Sequence, residues 1–119
     1  MATRAFVIVD QNTRSVTGQW SGLTQASLDD GTPVELPDYA DRSIQVQGTI
    51  GAAGNLRVEG SNDGTNYVVL TDPQGTALTI VAAGVIEQIQ EITRFIRPRI
   101  TAGDGTTNLV CTFYGARKA

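Results

Sequence analysis

Short runs of alternating apolar and polar residues, separated by acidic turns that contain glycine, are the feature that most constrains the fold of this chain. The turn at residues 62–67 reads Asn-Asp-Gly-Thr-Asn-Tyr and lies between two such runs, residues 55–61 and 67–71. An Asp-Gly step between alternating runs is a strong short-range signal for a β-hairpin, because glycine readily adopts the positive φ that tight turns need. Similar steps recur at residues 29–31 and 104–105. The pattern therefore predicts an all-β protein.

Period-two alternation is clearest at residues 43–50, where Ile44 and Val46 share one face and Gln45 and Gln47 share the other. The same pattern predicts further strands at residues 4–10, 55–61, 67–71, 77–81, 94–101 and 107–114. Seven or eight short strands at this spacing favour an antiparallel sandwich or a small barrel. We adopt the antiparallel β-sandwich, with a jelly-roll-like topology.

Two of the predicted strands have unusual patterns. Residues 82–93 fit a strand with irregular ends, although a one-turn helix near residues 83–87 also fits the spacing of the apolar side chains. Residues 4–10 carry apolar side chains on both faces, so we expect this first strand to be covered on both sides.

Residues 11–41 form the least periodic part of the chain. Apolar residues are scattered there among Thr, Ser and Gln, and Pro33 and Pro37, which lack a backbone donor, bracket residues 34–36. We therefore predict a long irregular N-terminal arm or loop, of the kind that often carries function in a small domain. A chain of 119 residues is long enough for one core, and we treat residues 1–119 as a single domain.

The charge balance indicates which partners to expect. Nine basic and 12 acidic residues give a formal net charge of -3, which provides no global attraction to nucleic-acid phosphates or anionic lipids. No apolar run approaches the roughly 18 residues of a membrane span, and residues 5–9 are too few for the core of a secretory signal. We expect no nucleic-acid partner, no membrane partner, and synthesis in a cytosol, where a lone Cys111 suits the reducing conditions.

The residues that usually carry catalysis or metal binding are scarce. The chain has no histidine, whose unperturbed pKa lies nearest neutral pH, and it cannot supply a Cys/His zinc cluster. Cys111 lies in an alternating strand and is expected to pack in the core. The acidic turns at residues 29–30 and 62–66 offer oxygen ligands but lack the twelve-residue calcium loop with its closing glutamate, so turn formation explains them better. We predict a protein that is not an enzyme, with no catalytic residue, cofactor or metal.

Binding to another protein is the function that these residues leave open. Amphipathic rings in an irregular arm often anchor an interface, and an arginine stripe on a strand supplies forked donors. On this basis the candidate contacts are Trp20, Pro33, Leu36, Tyr39, Arg94, Arg97 and Arg99. The alternatives are local packing for the rings and a solvated strand face for the arginines. Acidic residues predominate in the first third of the chain and basic residues at its end, so copies of the chain could dock acidic edge to basic edge.

Three segments together carry a recognisable pattern. They are residues 60–67, Gly-Ser-Asn-Asp-Gly-Thr-Asn-Tyr, residues 70–75, Leu-Thr-Asp-Pro-Gln-Gly, and residues 94–101, Arg-Phe-Ile-Arg-Pro-Arg-Ile-Thr. They resemble a pattern that recurs in small virion proteins of tailed bacteriophages. The resemblance covers about the last two-thirds of the chain. The turn is also similar to that of discoidin-like β-sandwich domains, whose ligand-binding loops have no recognisable counterpart here. The motif is therefore more specific for a sandwich hairpin than for one function.

The phage resemblance implies a head decoration or cement protein, which lies on the capsid and bridges major capsid subunits, often as a dimer or trimer. Our leading hypothesis is that the protein binds and stabilises the major capsid lattice on the surface of the virion. One alternative is a structural protein of the tail or neck. Another is a carbohydrate-binding module at the host surface, with an aromatic platform from Tyr67, Trp20 or Tyr39.

Overall fold

The structure is a computed structural model and describes residues 2–25, 28–36 and 38–117. Within these residues the chain forms eleven β-strands and no helix, which confirms the all-β prediction. This part of the chain accordingly contains no helix that could cross a membrane. In chain order the strands are β1 (Thr3–Arg4), β2 (Phe6–Gln11), β3 (Ser15–Thr24), β4 (Asp30–Gly31), β5 (Asp41–Thr49), β6 (Asn55–Ser61), β7 (Val68–Val69), β8 (Thr79–Ile80), β9 (Val85–Ile89), β10 (Phe95–Ala102) and β11 (Asn108–Ala116).

The described strands form two sheets. In the front sheet the spatial order is β2-β3-β11-β5-β9, and every neighbouring pair is antiparallel. In the back sheet the order is β1-β4-β10-β6-β7, and β8 also pairs with β6. The short β1 and β4 pair in parallel, whereas the other back-sheet pairs are antiparallel.

The connections give the sandwich the topology of a jelly roll. Strands β3, β11, β5 and β9 belong to the front sheet, and β4, β10, β6 and β8 belong to the back sheet. Every connection from β3 to β6 crosses from one sheet to the other, and so does every connection from β8 to β11. Between them, β6, β7 and β8 all belong to the back sheet. Eight strands in two sheets with this order form the double Greek key of a jelly roll. The predicted jelly-roll-like antiparallel sandwich is confirmed.

Inward side chains from both sheets form the core. Trp20 and Phe113 are its largest fully buried residues, and their rings meet edge to face with centroids 6.5 Å apart. Phe6 covers them at the edge of the front sheet, with its ring centroid 4.8 Å from that of Trp20. The other fully buried apolar side chains include Val16, Leu23, Ile44, Val46, Leu56, Val58 and Leu109. Each aliphatic side chain buried in this way stabilises the fold by about 1.5–3 kcal/mol.

Strand β3 corrects the prediction of an irregular arm over residues 11–41. Ser15–Thr24 is a ten-residue strand between β2 and β11, and its inward apolar residues are fully buried. Two glycines interrupt the alternation of apolar residues that would otherwise predict this strand. Gly18 takes an inward position under the ring of Phe6, where a Cβ would lie 2.1 Å from Cζ, and Gly22 adopts a φ of +69°. After β3, only residues 25–40 of the predicted arm remain, and these include β4.

Pro98 lies within the interior strand β10, where proline removes a ladder donor. On the side of β10 that faces β4, the amides of Ile96 and Ile100 donate to backbone carbonyls of the neighbouring segment. Pro98 stands between these two hydrogen bonds. Gly31 provides room for its ring, since a Cβ at Gly31 would lie 2.7 Å from Pro98 Cδ.

Residues 67–93 are less regular than predicted. β7 and β8 contain two residues each, because they share β6 as a partner and each pairs with a different part of it. Residues 82–93 contain β9, a five-residue strand at the edge of the front sheet. The strand interpretation of this segment is therefore correct, and the one-turn helix near residues 83–87 is not.

Strand β2 is exposed, although the sequence predicted that both of its faces would be covered. It forms an edge of the front sheet and, within the described chain, pairs with β3 alone. Val7, Ile8 and Val9 are 59%, 48% and 59% exposed. An open edge with apolar side chains is a surface that another polypeptide can cover.

Candidate protein-binding surfaces

Three arginines converge on one carboxylate on the outer face of the back sheet. Arg97 and Arg99 project outward from β10, and Arg57 and Glu59 project outward from the adjacent β6, because side chains alternate between the faces of a strand. Glu59 Oε1 accepts a hydrogen bond from Arg97 Nε at 3.1 Å, and Oε2 accepts one from Arg99 Nε at 3.2 Å. Arg57 Nε lies 3.8 Å from the same Oε2. We call these four residues the arginine cluster.

The arginine cluster is held in a fixed arrangement. Glu59 is only 2% exposed, although it faces outward, because the guanidinium groups cover it. Arg97 also stacks on Tyr67, with its Cζ 3.9 Å from the ring centroid, and its Nη1 lies 3.5 Å from Asp30 Oδ2. Three guanidinium groups thus face two carboxylates, which leaves one positive charge in excess. The side chain of Arg99 remains 36% exposed, so it can also donate to a partner.

The turn at residues 62–67 forms as predicted and positions Tyr67 beside the cluster. Asp63 Oδ1 accepts hydrogen bonds from the backbone amides of Asn66 and Thr65, both at 2.8 Å, and from Ser61 Oγ at 2.9 Å. These hydrogen bonds, with that of Asn66 the strongest, hold the pKa of Asp63 far below its usual range. The hydrogen bonds within the turn therefore explain why the sequence has an acidic residue at Asp63. Among the described residues, no group of three or more Cys, His, Asp or Glu could hold a metal ion.

Arg94 does not belong to the arginine cluster. It precedes β10, forms an ion pair with Glu35, and places its Cζ 4.9 Å from the ring centroid of Phe95. Its side chain is more than half exposed. The prediction that Arg94, Arg97 and Arg99 form one stripe is therefore wrong for Arg94. Arg97 and Arg99 do share the outer face of β10.

Trp20 and Tyr39 are part of the core, so the prediction that they contact a partner is wrong. Trp20 is fully buried, and its Nε1 donates to the carbonyl of Thr32 at 2.9 Å. Tyr39 is also buried, and its hydroxyl donates to the carbonyl of Asn12 at 3.3 Å. Local packing, the alternative interpretation of these rings, is correct for both.

Pro33 and Leu36 lie on a surface segment that Arg42 holds against the sandwich. Both are half-buried, and Leu36 packs on the core. The buried Arg42 donates to the carbonyls of Leu36, Tyr39 and Thr93 at 3.1, 2.8 and 2.9 Å. Burial lowers the pKa of this guanidinium. Sequence reasoning missed Arg42 because its acceptors are main-chain carbonyls, which carry no sequence signal.

The outer face of the front sheet was also missed, and its strand positions are almost free of charge. We call a set of uncharged outward residues the front face: Val7, Ser15, Thr17, Gln19, Ser21, Ser43, Gln45, Gln47, Ile86, Gln88, Val110, Thr112 and Tyr114. Charged residues stand at one end of these strands, at Asp10 and Asp41. A shallow depression of about 230 Å³ lies beside Tyr114 and Ser43. The alternation of polar and apolar residues predicts that the polar members of each strand point outward. Only the order of the strands shows that these residues form one surface.

No protein-family model and no curated protein matches the sequence. Among solved structures, the fold is similar to that of the SPBc2 prophage-derived protein YomS, with a TM-score of 0.56 and 7% identity. The alignment covers 89% of this chain and 97% of YomS. A cupin domain from Bordetella pertussis Tohama I aligns over 99% of this chain and 96% of its own, with a TM-score of 0.47 and 12% identity. The likeness to YomS shows a shared fold.

Proposed function

We propose that this chain is a structural protein of a tailed-bacteriophage virion, and specifically a decoration or cement protein that binds the major capsid protein and carries out no reaction. The sequence pattern at residues 60–75 and 94–101 supports a decoration protein. The fold shared with a prophage-derived protein supports a phage setting. The observation that carries the proposal is the arginine cluster, a set of fixed donors on the open face of a rigid sandwich.

The arginine cluster suits protein binding because its side chains are ordered before a partner arrives. A free arginine loses up to about 2 kcal/mol of rotamer entropy when it is immobilised. Glu59 and Tyr67 already restrain Arg97, so less of this entropy remains to be lost on binding. Guanidinium groups match the geometry of carboxylates and carbonyls on a protein partner. Weak contacts of this kind become strong when they are repeated over a lattice by linked copies.

The segment with Pro33 and Leu36 extends the proposed contact surface. A bridge between Val34 and Ile96 places this segment beside β10, the strand that carries Arg97. Half-buried apolar side chains next to forked donors resemble the mixture found at protein interfaces. We therefore assign Pro33, Leu36, Arg94, Arg97 and Arg99 to the capsid-binding surface and remove Trp20 and Tyr39 from it.

The test is co-sedimentation of purified protein with expanded capsids of the matching phage that lack it. We expect the wild type to bind, and the double variant Arg97→Ala/Arg99→Ala to lose at least about tenfold in affinity, since arginines at interfaces often contribute about 2 kcal/mol. Arg14→Ala, in the exposed β2–β3 hairpin, is the control and should bind as the wild type does. Circular dichroism confirms that each variant is folded. A wild type that stays unbound would refute the proposal.

Electron microscopy of virions labelled with an antibody against this protein locates it in the particle. Label on the head supports the capsid assignment. Label restricted to the tail or neck would contradict it and favour the alternative of a tail or neck protein.

A further inference from the structure

The front face has a repeating order from one edge of its sheet to the other. Register pairs place Val7, Gln19, Thr112, Gln45 and Ile86 in one row across the five strands. The row reads apolar, glutamine, threonine, glutamine, apolar. Its order is therefore nearly the same from either end.

The next row has a similar symmetry. It places Asp10, Thr17, Tyr114, Ser43 and Gln88 across the same strands. Tyr114 stands in the middle with a hydroxyl residue on each side. Both rows have their centre on β11, the third of the five strands.

The two outer faces of the sandwich differ in how their polar groups are satisfied. On the back sheet, the arginine cluster and Asp30 pair with one another. On the front face, the only hydrogen bond between two side chains among the described residues joins Gln19 Nε2 to Thr112 Oγ1 at 3.1 Å. The front face thus offers uncharged donors and acceptors that can still bind a partner.

We propose that the front face binds the front face of a second copy of this chain, about a two-fold axis that runs along β11. A rotation about this axis places Val7 on the second copy's Ile86 and Gln19 on its Gln45. Thr112 and Tyr114 then meet their own counterparts. Both apolar ends of the central row are covered, and sheets stacked in this way keep their strands nearly aligned, as in other sheet-on-sheet packing.

Charge favours a second copy as the occupant. In a two-fold contact each residue near the axis meets itself, so a charged group there repels its counterpart. The front face avoids this, because its charged neighbours Asp10 and Asp41 lie at one end of the strands. About the proposed axis Asp10 meets the second copy's Gln88, an amide that can donate to it. The back sheet, with its excess positive charge, would repel itself.

The area of the front face fits a stable dimer. Five strands at about 4.8 Å spacing, with lengths of five to ten residues at about 3.3 Å per residue, give roughly 600 Å² for each copy. The total of about 1,200 Å² lies at the lower end of the range for specific protein–protein interfaces. The exposed Tyr114 and the apolar Val7, Val110 and Ile86 supply the side chains that anchor such contacts.

The experiment measures molar mass in solution by sedimentation equilibrium, with no capsid present, so its outcome is independent of the virion role. We expect the wild type to have twice the chain mass of 12.6 kDa at about 100 μM. Thr112→Lys and Thr112→Glu, each measured alone, should be monomers, because position 112 meets itself across the axis. Thr79→Lys is the control: it adds the same positive charge as Thr112→Lys, but at an exposed position of the back sheet, and this variant should remain a dimer. Circular dichroism confirms that all variants are folded.

Mixing the Thr112→Lys and Thr112→Glu proteins tests the axis directly. Opposite charges then face each other, and we expect the dimer to form again. The wild-type dimer should also dissociate no more readily in high salt than in low salt, because no ion pair joins the two copies across the proposed interface. A monomeric wild type, a dimeric Thr112→Lys variant, or a mixture that stays monomeric would overturn the proposal.

Discussion

Arg42 Nη1 donates a hydrogen bond to the main-chain carbonyl of Thr93 at 2.9 Å, and this bond joins the start of β5 in the front sheet to the segment that leads into β10 in the back sheet. The same guanidinium donates to the carbonyls of Tyr39 and Leu36. One buried side chain thus connects the two sheets and the surface segment between β4 and β5. Within the described chain its hydrogen-bond acceptors are all main-chain carbonyls, and the Leu36 carbonyl also accepts from the Tyr39 amide. Removal of the guanidinium therefore takes the side-chain donor away from the carbonyls of Tyr39 and Thr93.

Replacement of Arg42 should therefore be strongly destabilising. We expect Arg42→Met, which keeps much of the aliphatic volume, to lower the free energy of unfolding by about 3 kcal/mol, because buried carbonyls left without donors each cost about 1–3 kcal/mol. Urea unfolding monitored by circular dichroism measures the change. Arg14→Met in the exposed β2–β3 hairpin should stay within about 0.5 kcal/mol of the wild type. Equal stability of the two variants would contradict the role of Arg42.

The fluorescence of Trp20 should report whether β3 is buried in the core. Its indole is fully buried between Phe6 and Phe113, so we expect blue-shifted fluorescence in the folded protein and a red shift on unfolding. Trp20→Ala should lower the free energy of unfolding by about 3–5 kcal/mol, the usual cost of a large cavity in a core. Denaturant titration measures the loss. Emission typical of a water-exposed indole in the folded state would show that β3 does not form as described.

The prediction of an arm over residues 11–41 was wrong for a physical reason that lies in β3. At Gly18 the space on the inward side is filled by a ring from another strand, Phe6, so the expected apolar residue is absent. At Gly22 a positive φ shifts the alternation, and Leu23 is buried one position out of step with Trp20. The outward residues are Ser, Thr and Gln, a composition that also occurs in loops. Local pattern cannot distinguish these cases, because the information lies in the neighbouring strand.

Gly31 should tolerate no side chain. A Cβ there would lie 2.5 Å from Trp20 Cδ1 and 2.7 Å from Pro98 Cδ, and both belong to packed residues. We expect Gly31→Ala to lower the free energy of unfolding by about 1–3 kcal/mol through overpacking. Gly105 has open space around its Cα, so Gly105→Ala is the matched control and should be neutral or slightly stabilising. Thermal unfolding of both variants under the same conditions distinguishes them.

Cys111 should be unreactive while the protein is folded. It is fully buried on β11, as the alternation predicted, and burial raises the pKa of its thiol to about 12. A thiol-specific reagent at about pH 8.5, where a free cysteine is half ionised, should modify it only in denaturant. The rate of modification then reports opening of the sandwich. Rapid reaction of the native protein would contradict the placement of Cys111 in the core.

The arginine cluster shows which part of a site the sequence predicts and which part it does not. Alternation placed Arg97 and Arg99 on one face of β10, as the structure confirms. It also placed Arg57 and Glu59 on one face of β6, but it could not show that β6 and β10 are neighbours. Their pairing joins residues about 40 positions apart, and that distance in the chain leaves no local pattern. The individual strand faces were therefore predictable, whereas the convergence of the guanidinium groups on Glu59 was not.

Acid should destabilise the protein, partly through Asp63. Hydrogen bonds from the backbone of Asn66 and Thr65 hold the pKa of Asp63 below its ordinary value of 3.8 in the folded state. The folded protein therefore binds this proton less readily than the unfolded chain does. The resulting stability is present above about pH 4 and is lost as the pH falls towards the lowered folded value.

Asp63→Asn isolates that contribution. We expect the melting temperature of the wild type to fall as the pH is lowered from 5 to 2, and the variant to show a smaller fall because one of the titrating groups is absent. Thr65→Ala is the control, because it keeps the Asp63 carboxylate and the backbone donors of the turn, and it should keep the wild-type dependence. Asp104 and Glu91 also have lowered pKa values, from the hydrogen bonds of Thr106 and, against the opposing effect of burial, those of Thr71. Part of the acid sensitivity should therefore persist in Asp63→Asn, and a variant with the full wild-type dependence would show that the turn does not hold the carboxylate as described.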